Sequence, residues 1–407
     1  MDKVLNKHEP FDMIVIGAGI SGLAMAFEAQ LAGNKVLVLE KENRCGGCFH
    51  SEVMPNTGSN DGEIFWLEMG THTCFNSYGR LLNILGRLEM SDQMQGREKL
   101  SYRMLVNNKL VSIASRLSFM ELLTHVWRLF SLKKEGKSIA DHYSALIGPS
   151  NYSSVFRHAF NAVVCQPADQ MPADMLFRKR PRDKSVKRSY TFAEGLARII
   201  AALEQRLEVR TGQDIHAIHR HAAGYVVETE AGVYASDKLV CATPAPATAR
   251  LLAQVHADIA EQLGWVNEVE IESVGIVVCK ETLTLPPAAG IIAVDDDFYS
   301  AISRDYVAHP HLRGFTFHFK PGLLSDEEKL QRICTVLGVE TSDLQYVFHK
   351  INRLPAPEVG HHQLIEEIDA MLANHPLALV GNYFDGVAVE DCLERVEKEW
   401  ARFSAMA

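Results

Sequence analysis

Gly17-x-Gly19-x-x-Gly22, with Glu40 downstream, is the set of residues in this chain whose types and spacing most plainly suit chemistry. Glycines so spaced permit a tight turn and let backbone approach a pyrophosphate, while a helix starting there offers unpaired N–H groups and its positive dipole end. An acid at the end of the next strand can accept hydrogen bonds from ribose hydroxyls. The surrounding pattern supplies the elements this needs. Phe11 to Ile16 is a short apolar run of the kind buried on both faces of a parallel sheet. Leu23, Phe27 and Leu31 keep helical spacing, Gly33-Asn34 ends the helix, and Lys35 to Glu40 reads as a second strand. The unit is βαβ, and the expected fold class is α/β with a Rossmann-type nucleotide domain.

The residues after Glu40 narrow the nucleotide. Lys41-Glu42-Asn43-Arg44-Cys45-Gly46-Gly47 continues the strand with an arginine and a glycine pair, and the run resembles the E-x-x-x-R-x-G-G signature of the FAD-dependent amine oxidase superfamily. That resemblance implies an FAD site including Gly17, Gly19, Ser21, Gly22, Glu40, Lys41, Arg44, Gly46 and Gly47. Glu68-Met69-Gly70-Thr71-His72-Thr73 occupies the place where the superfamily brings backbone to the flavin ring, which implies contacts from Gly70 and Thr71. Thr71 stands where protoporphyrinogen oxidases often carry proline. His72 is the candidate catalytic side chain; a histidine satisfied by local backbone is the competing reading.

Further segments resemble the same superfamily. Tyr190 to Leu203 is similar to its glycine-containing return helix, Val209 to Ile215 to the strand near adenine, and Leu239-Val240-Cys241-Ala242-Thr243-Pro244 to its V-x-A-T-P turn, which implies Ile215 and Ala242 as cofactor contacts. Pro355, Val359, Gly360 and His361 match the P-Q-Y-x-V-G-H stretch of protoporphyrinogen oxidases, with Ala356-Pro357 in place of the Gln-Tyr pair. Gly381-Asn382-x-x-x-Gly386-Val387-Ala388 resembles their terminal G-N-x-x-x-G-V segment, which implies contacts from Asn382, Gly386, Val387 and Ala388. A glycine-started helix there would stabilise negative charge on a reduced flavin. The segments for covalent flavin attachment and for caging an amine are missing, so the resemblance implies non-covalent FAD and a porphyrinogen-like substrate giving hydride to the flavin. Oxidases or desaturases of amines or polyenes, a sugar mutase and a non-redox complex subunit share the scaffold and stay open.

Other features compete for function. Cys45-Gly46-Gly47-Cys48 has redox or zinc-half-site spacing, but no second C-x-x-C or histidine pair accompanies it, so an incidental pair is expected and no metal. Arg178 to Arg188 carries seven cations and one acid and is expected to be mainly a solvated loop, with an acidic substrate or anionic lipid as alternatives. Phe119, Leu122, Leu123, Val126, Trp127, Leu129 and Phe130 fall at helical spacing and are expected in a core, with a membrane dip as the alternative.

Composition bounds these readings. The chain has 407 residues, 47% hydrophobic, and a formal charge of −10, which argues against a nucleic-acid-binding surface. Eight dispersed cysteines suit a reducing cytoplasm, no signal peptide is read near the N-terminus, and no apolar run reaches a membrane span. A small-molecule partner, with an acidic tetrapyrrole as one candidate, is expected in the cytoplasm or on the inner face of a membrane; the oligomeric state stays open. The expected organisation is an FAD domain from 1–75, 207–250 and 370–407, a mixed-sheet substrate domain from 76–115 and 251–369, and a helical insertion with a return helix over 116–206.

Overall fold

The computed structural model describes residues 10–54, 64–221 and 224–406; the reading of the first nine residues lies outside them. The chain builds two large sheets. In the first the spatial order is 208–210, 36–39, 11–16, 232–241, 224–229, 215–221, with 377–379 also paired to 232–241. Strand Phe11–Ile16 runs parallel to Val36–Leu39 and to Gly232–Cys241, and Leu377–Leu379 runs parallel to the latter. This is the α/β architecture expected.

The apolar run at 11–16 is explained by its two faces. Met13 and Val15 point into a core with helices Ile20–Leu31, Gly79–Arg87, Ala197–Glu204 and Val389–Ala405. Phe11, Ile14 and Ile16 point into another with helices Ala245–Leu252, Ala257–Leu263 and His361–Leu372. Alternate residues of a strand face opposite sides, so a sheet covered on both needs consecutive apolar residues, as at Met13 to Ile16; Asp12 lies exposed at the start of the strand and accepts from Lys35 N–H at 2.6 Å. The domain boundaries expected at 250 and 370 fall inside this second helical layer.

The second sheet has the order 344–355, 268–279, 312–319, 298–303, 290–293, 102–106, 109–112. It is antiparallel apart from the pairing of Gly290–Ala293 with Tyr102–Val106. Phe315, Phe317 and Phe319 pack on one side with helix Asp326–Leu337. The opposite side receives strand Phe65–Glu68: Leu67 and Met69 pack against Val277, and the Thr316 hydroxyl donates to the Glu68 carbonyl at 2.7 Å. Residues 65–69 thus dock on the second sheet, with the nucleotide sheet on either side of them in the chain.

Two expectations are corrected. Residues 119–130 form a helix, Phe119–His125, and a tighter turn, Val126–Phe130, but Phe119, Met120, Leu123, Val126, Trp127, Leu129 and Phe130 are exposed, with Leu122 half-buried, so the stripe is not core. The polar side of this helix is the one held by the protein, through Glu121. The basic run is not simply a solvated loop either: Arg178 and Arg180 both pair with the buried carboxylate of Asp391, whereas Lys179, Arg182, Lys184, Lys187 and Arg188 are exposed. Residues 245–263 form two helices, Ala245–Leu252 and Ala257–Leu263, with a break at 253–256. Among the described residues no helix is long and apolar enough to cross a membrane.

Candidate functional site

The glycine loop sits between the first strand and the first helix. Gly17 has φ +102°, and a Cβ there would lie 2.7 Å from the Ala242 carbonyl oxygen, so only glycine lets the two segments approach. The Gly17 and Ala242 N–H groups donate to the carbonyls of Leu39 and Ile16, both at 2.8 Å. Gly19 differs: a Cβ built there meets nothing within 4 Å. Its helix has no side-chain cap and no acid in the first turn. A helix start left open in this way, facing empty space and with no acid in its own first turn, fits a diphosphate.

Glu40 stands beside it. One carboxylate oxygen accepts from Ala18 N–H at 2.7 Å and the other from Glu42 N–H at 3.0 Å. A carboxylate has about four lone-pair positions, so room remains for ribose hydroxyls. The 3.0 and 2.8 Å bonds from Gly212 N–H to the Glu42 carbonyl and from Gln213 N–H to the Glu40 carbonyl bring the start of strand Ile215–His221 toward the same place. Lys41 is exposed and pairs with Asp214 at 3.5 Å. Ser21 is buried and its hydroxyl faces Cys392, so any contribution from Ser21 to a phosphate would come through its backbone.

Arg44 braces the loop that carries the glycine pair: its guanidinium donates to the carbonyls of Cys45 and Gly47 at 3.0 and 2.9 Å. Gly46 N–H donates to the Ala18 carbonyl at 2.8 Å, and Thr71 N–H to the Cys48 carbonyl at 2.8 Å. A Cβ at Gly70 would come within 2.0 Å of that Cys48 oxygen. Burial raises the Cys45 thiol to about 12 and raises Cys48 as well, leaving both poor thiolate sources. Among the described residues no three His, Cys, Asp or Glu side chains gather as a metal site.

Beyond Thr71 the path reaches a polar cluster that the sequence reading found only in part. His72 Nε2 lies 2.9 Å from His318 Nε2; His318 Nδ1 lies 3.1 Å from the Ser273 hydroxyl; Asn352 Nδ2 donates to that hydroxyl and to the Met69 carbonyl, both at 2.9 Å. Burial holds His318 near 4 and His72 well below the ordinary histidine value, so both rings are neutral at pH 7. Lys350 Nζ donates to the Gly47 carbonyl at 2.9 Å, and burial lowers its ammonium to about 8. Arg97 donates to Thr73 and stacks on the Tyr306 ring 3.4 Å from its centroid. Glu68, pushed by burial to about 8, accepts from Leu196 N–H and the Ser51 hydroxyl, both at 2.7 Å.

The C-terminal motif is placed differently from expectation. Its helix begins at Val389 after Ala388 rather than at a glycine, and its first turn carries Glu390 and Asp391, both buried. Glu390 accepts from Arg80 N–H at 2.9 Å; Asp391 accepts from Ala388 N–H at 3.1 Å and pairs with Arg178 and Arg180. These carboxylates offset the positive end of the helix dipole, and the arginines restore positive charge. Asn382, Gly386 and Val387 lie in the preceding loop, where a Cβ on Gly386 would meet Asp391 at 2.6 Å. His361 Nε2 lies 2.6 Å from the Tyr383 carbonyl and so joins two of the motifs read in the sequence.

A nucleotide loop on a partly parallel sheet, a second, largely antiparallel sheet and a polar cluster beside it define an α/β, FAD-binding type of architecture. The model of the flavin containing amine oxidoreductases matches residues 20–271, and the chain belongs to that family. The 15-cis-phytoene desaturase of Capsicum annuum is 31% identical over 90 residues, 22% of this chain and 14% of that protein. The all-trans-retinol 13,14-reductase of Danio rerio is 51% identical over 43 residues, 11% of this chain and 7% of that protein. The matches thus span a small part of these relatives. Over the whole fold the chain is similar to a crystal structure from Exiguobacterium sp. named as a candidate protoporphyrinogen oxidase, with TM-score 0.79 and 18% identity, covering 97% of this chain and 99% of the other.

Proposed function

We propose that the protein is an FAD-dependent oxidoreductase, with FAD bound non-covalently along Gly17–Gly22, Glu40 and Gly46–Gly47, and that it oxidises a porphyrinogen-like substrate. The observation that carries the reading is the pair of backbone hydrogen bonds, Gly46 N–H to Ala18 and Thr71 N–H to Cys48, which join the glycine loop to His72 as one surface. FAD when bound supplies a two-electron acceptor for hydride from a substrate carbon. The protein's own part is positioning: Lys350 and Arg97 bring positive charge toward His72, suited to substrate carboxylates, and the cluster behind His72 fixes that ring.

A polyene substrate is the second reading, favoured by the 31% identity to the phytoene desaturase over 90 residues. Anaerobic mixing separates the two. Bleaching of the yellow protein by protoporphyrinogen supports the first reading, bleaching by a polyene alone supports the second, and bleaching by dithionite alone rejects both.

A further inference from the structure

Residues 119–130 are an amphipathic segment mounted with its apolar side outward, the exposures of its seven outward apolar side chains running from 48 to 94%. The segment is held firmly from beneath. Glu121 accepts from the N–H groups of Ser150 and Asn151 at 2.9 and 2.8 Å, Asn151 donates back to the Ser118 carbonyl at 3.0 Å, and Arg128 reaches the Ala145 carbonyl at 3.0 Å. An apolar face this continuous marks an interaction surface.

The charges around it say what covers it. Between residues 116 and 137 lie Arg116, Arg128, Lys133, Lys134 and Lys137 against Glu121 and Glu135, in a chain whose net charge is −10. The Glu121 carboxylate is already paired with the backbone N–H groups of Ser150 and Asn151. Lys134 Nζ donates to the Leu176 carbonyl at 2.7 Å, which brings Phe177, 55% exposed, and the exposed Lys179 alongside. Phenylalanine and tryptophan rings beside a surplus of cations match a layer of acyl chains under anionic headgroups.

We propose that this face seats the protein on an anionic lipid surface. The test is co-sedimentation of the flavin-loaded protein with vesicles of phosphatidylcholine alone or of equimolar phosphatidylcholine and phosphatidylglycerol. The mixed vesicles should carry the protein down at least about tenfold more strongly, raised salt should weaken the attachment, and the combined variant Leu123→Ser, Trp127→Ser, Phe130→Ser should lose about tenfold or more in binding with flavin content unchanged. Wild-type protein left in the supernatant by both vesicles, equal binding to both, or a variant that binds like wild type would overturn the proposal. So would a lipid-free dimer dissociated by the same three substitutions, which would make the face a contact between copies of the chain.

Discussion

The Nε2 atoms of His72 and His318 lie 2.9 Å apart, and the groups behind them decide which one carries the proton. Asn352 gives one Nδ2 hydrogen to the Met69 carbonyl and the other to the Ser273 oxygen. The Ser273 proton is then free to go to His318 Nδ1. His318 is left donating from Nε2 to His72, whose own proton sits on Nδ1. The order of donation is Asn352, Ser273, His318, His72, and it makes the His72 ring a hydrogen-bond donor rather than a resting base.

His72→Leu should therefore slow anaerobic flavin reduction by about a hundredfold, the scale of a lost oriented donor, with flavin content unchanged. His318→Leu should cost less, about tenfold, because it acts through His72. Stopped-flow rates against pH should show no inflection near 6.5 in the wild type, since both rings are already neutral there. An inflection at that pH that disappears in His72→Leu would contradict the assignment.

Glu68 gives a pH dependence of known sign. Its carboxyl is raised from 4.5 to about 8, so the folded chain keeps a proton that the unfolded chain has lost. Its stabilising contribution is complete below about 4.5 and is lost as pH rises through about 8, by at most about 1.4 kcal/mol per unit. Glu68→Gln keeps an acceptor for Leu196 N–H and removes this dependence. In urea unfolding, the stability of wild type minus variant should fall between about pH 5 and pH 8 and then level. The buried histidines have lowered values and act oppositely below about 6.5, but equally in both proteins. A flat difference would count against a buried, neutral Glu68.

Within the basic run the structure separates Arg180 from Arg182. Arg180→Ser leaves buried Asp391 with Arg178 as its remaining cation. The loss should be on the order of 2–3 kcal/mol, below the value typical when a buried partner is removed outright. Arg182→Ser, at an exposed position, should change stability by less than about 0.5 kcal/mol. Chemical denaturation of the two variants checks this; equal effects would return the whole run to the solvent.

The glycine loop was legible because Gly17, Gly19 and Gly22 sit between two patterns with different periods, and one segment of chain contains all the information needed. His318 and Ser273 left only a weaker trace. Thr316 and His318 alternate with Phe315, Phe317 and Phe319, which reads as a strand with one wet face; both are buried, because residues 65–72 cover that face. Periodicity also showed that residues 119–130 have an apolar side but not which way it points, since that is set by Glu121 reaching Ser150 and Asn151. Clustered charge reads as solvated, and Arg180 meets Asp391 211 residues further on.

Gly19 and Gly22 should fail in different ways. A Cβ at Gly22 would lie 2.0 Å from the Gly17 carbonyl oxygen, so Gly22→Val should impair folding. A Cβ at Gly19 meets nothing within 4 Å, so a branched side chain there should collide first with what binds. Gly19→Val should give a folded, colourless protein, seen by circular dichroism and absorbance. A yellow Gly19→Val protein would remove the diphosphate from this loop.

Acid precipitation of the purified wild-type protein tests non-covalent FAD binding, the central claim, most directly. One FAD per chain should be released into the supernatant, the open helix start at Gly19 and the Glu40 carboxylate being the groups proposed to hold it. Yellow colour retained in the pellet would contradict non-covalent binding, and a colourless protein that takes up no added FAD would contradict the site itself.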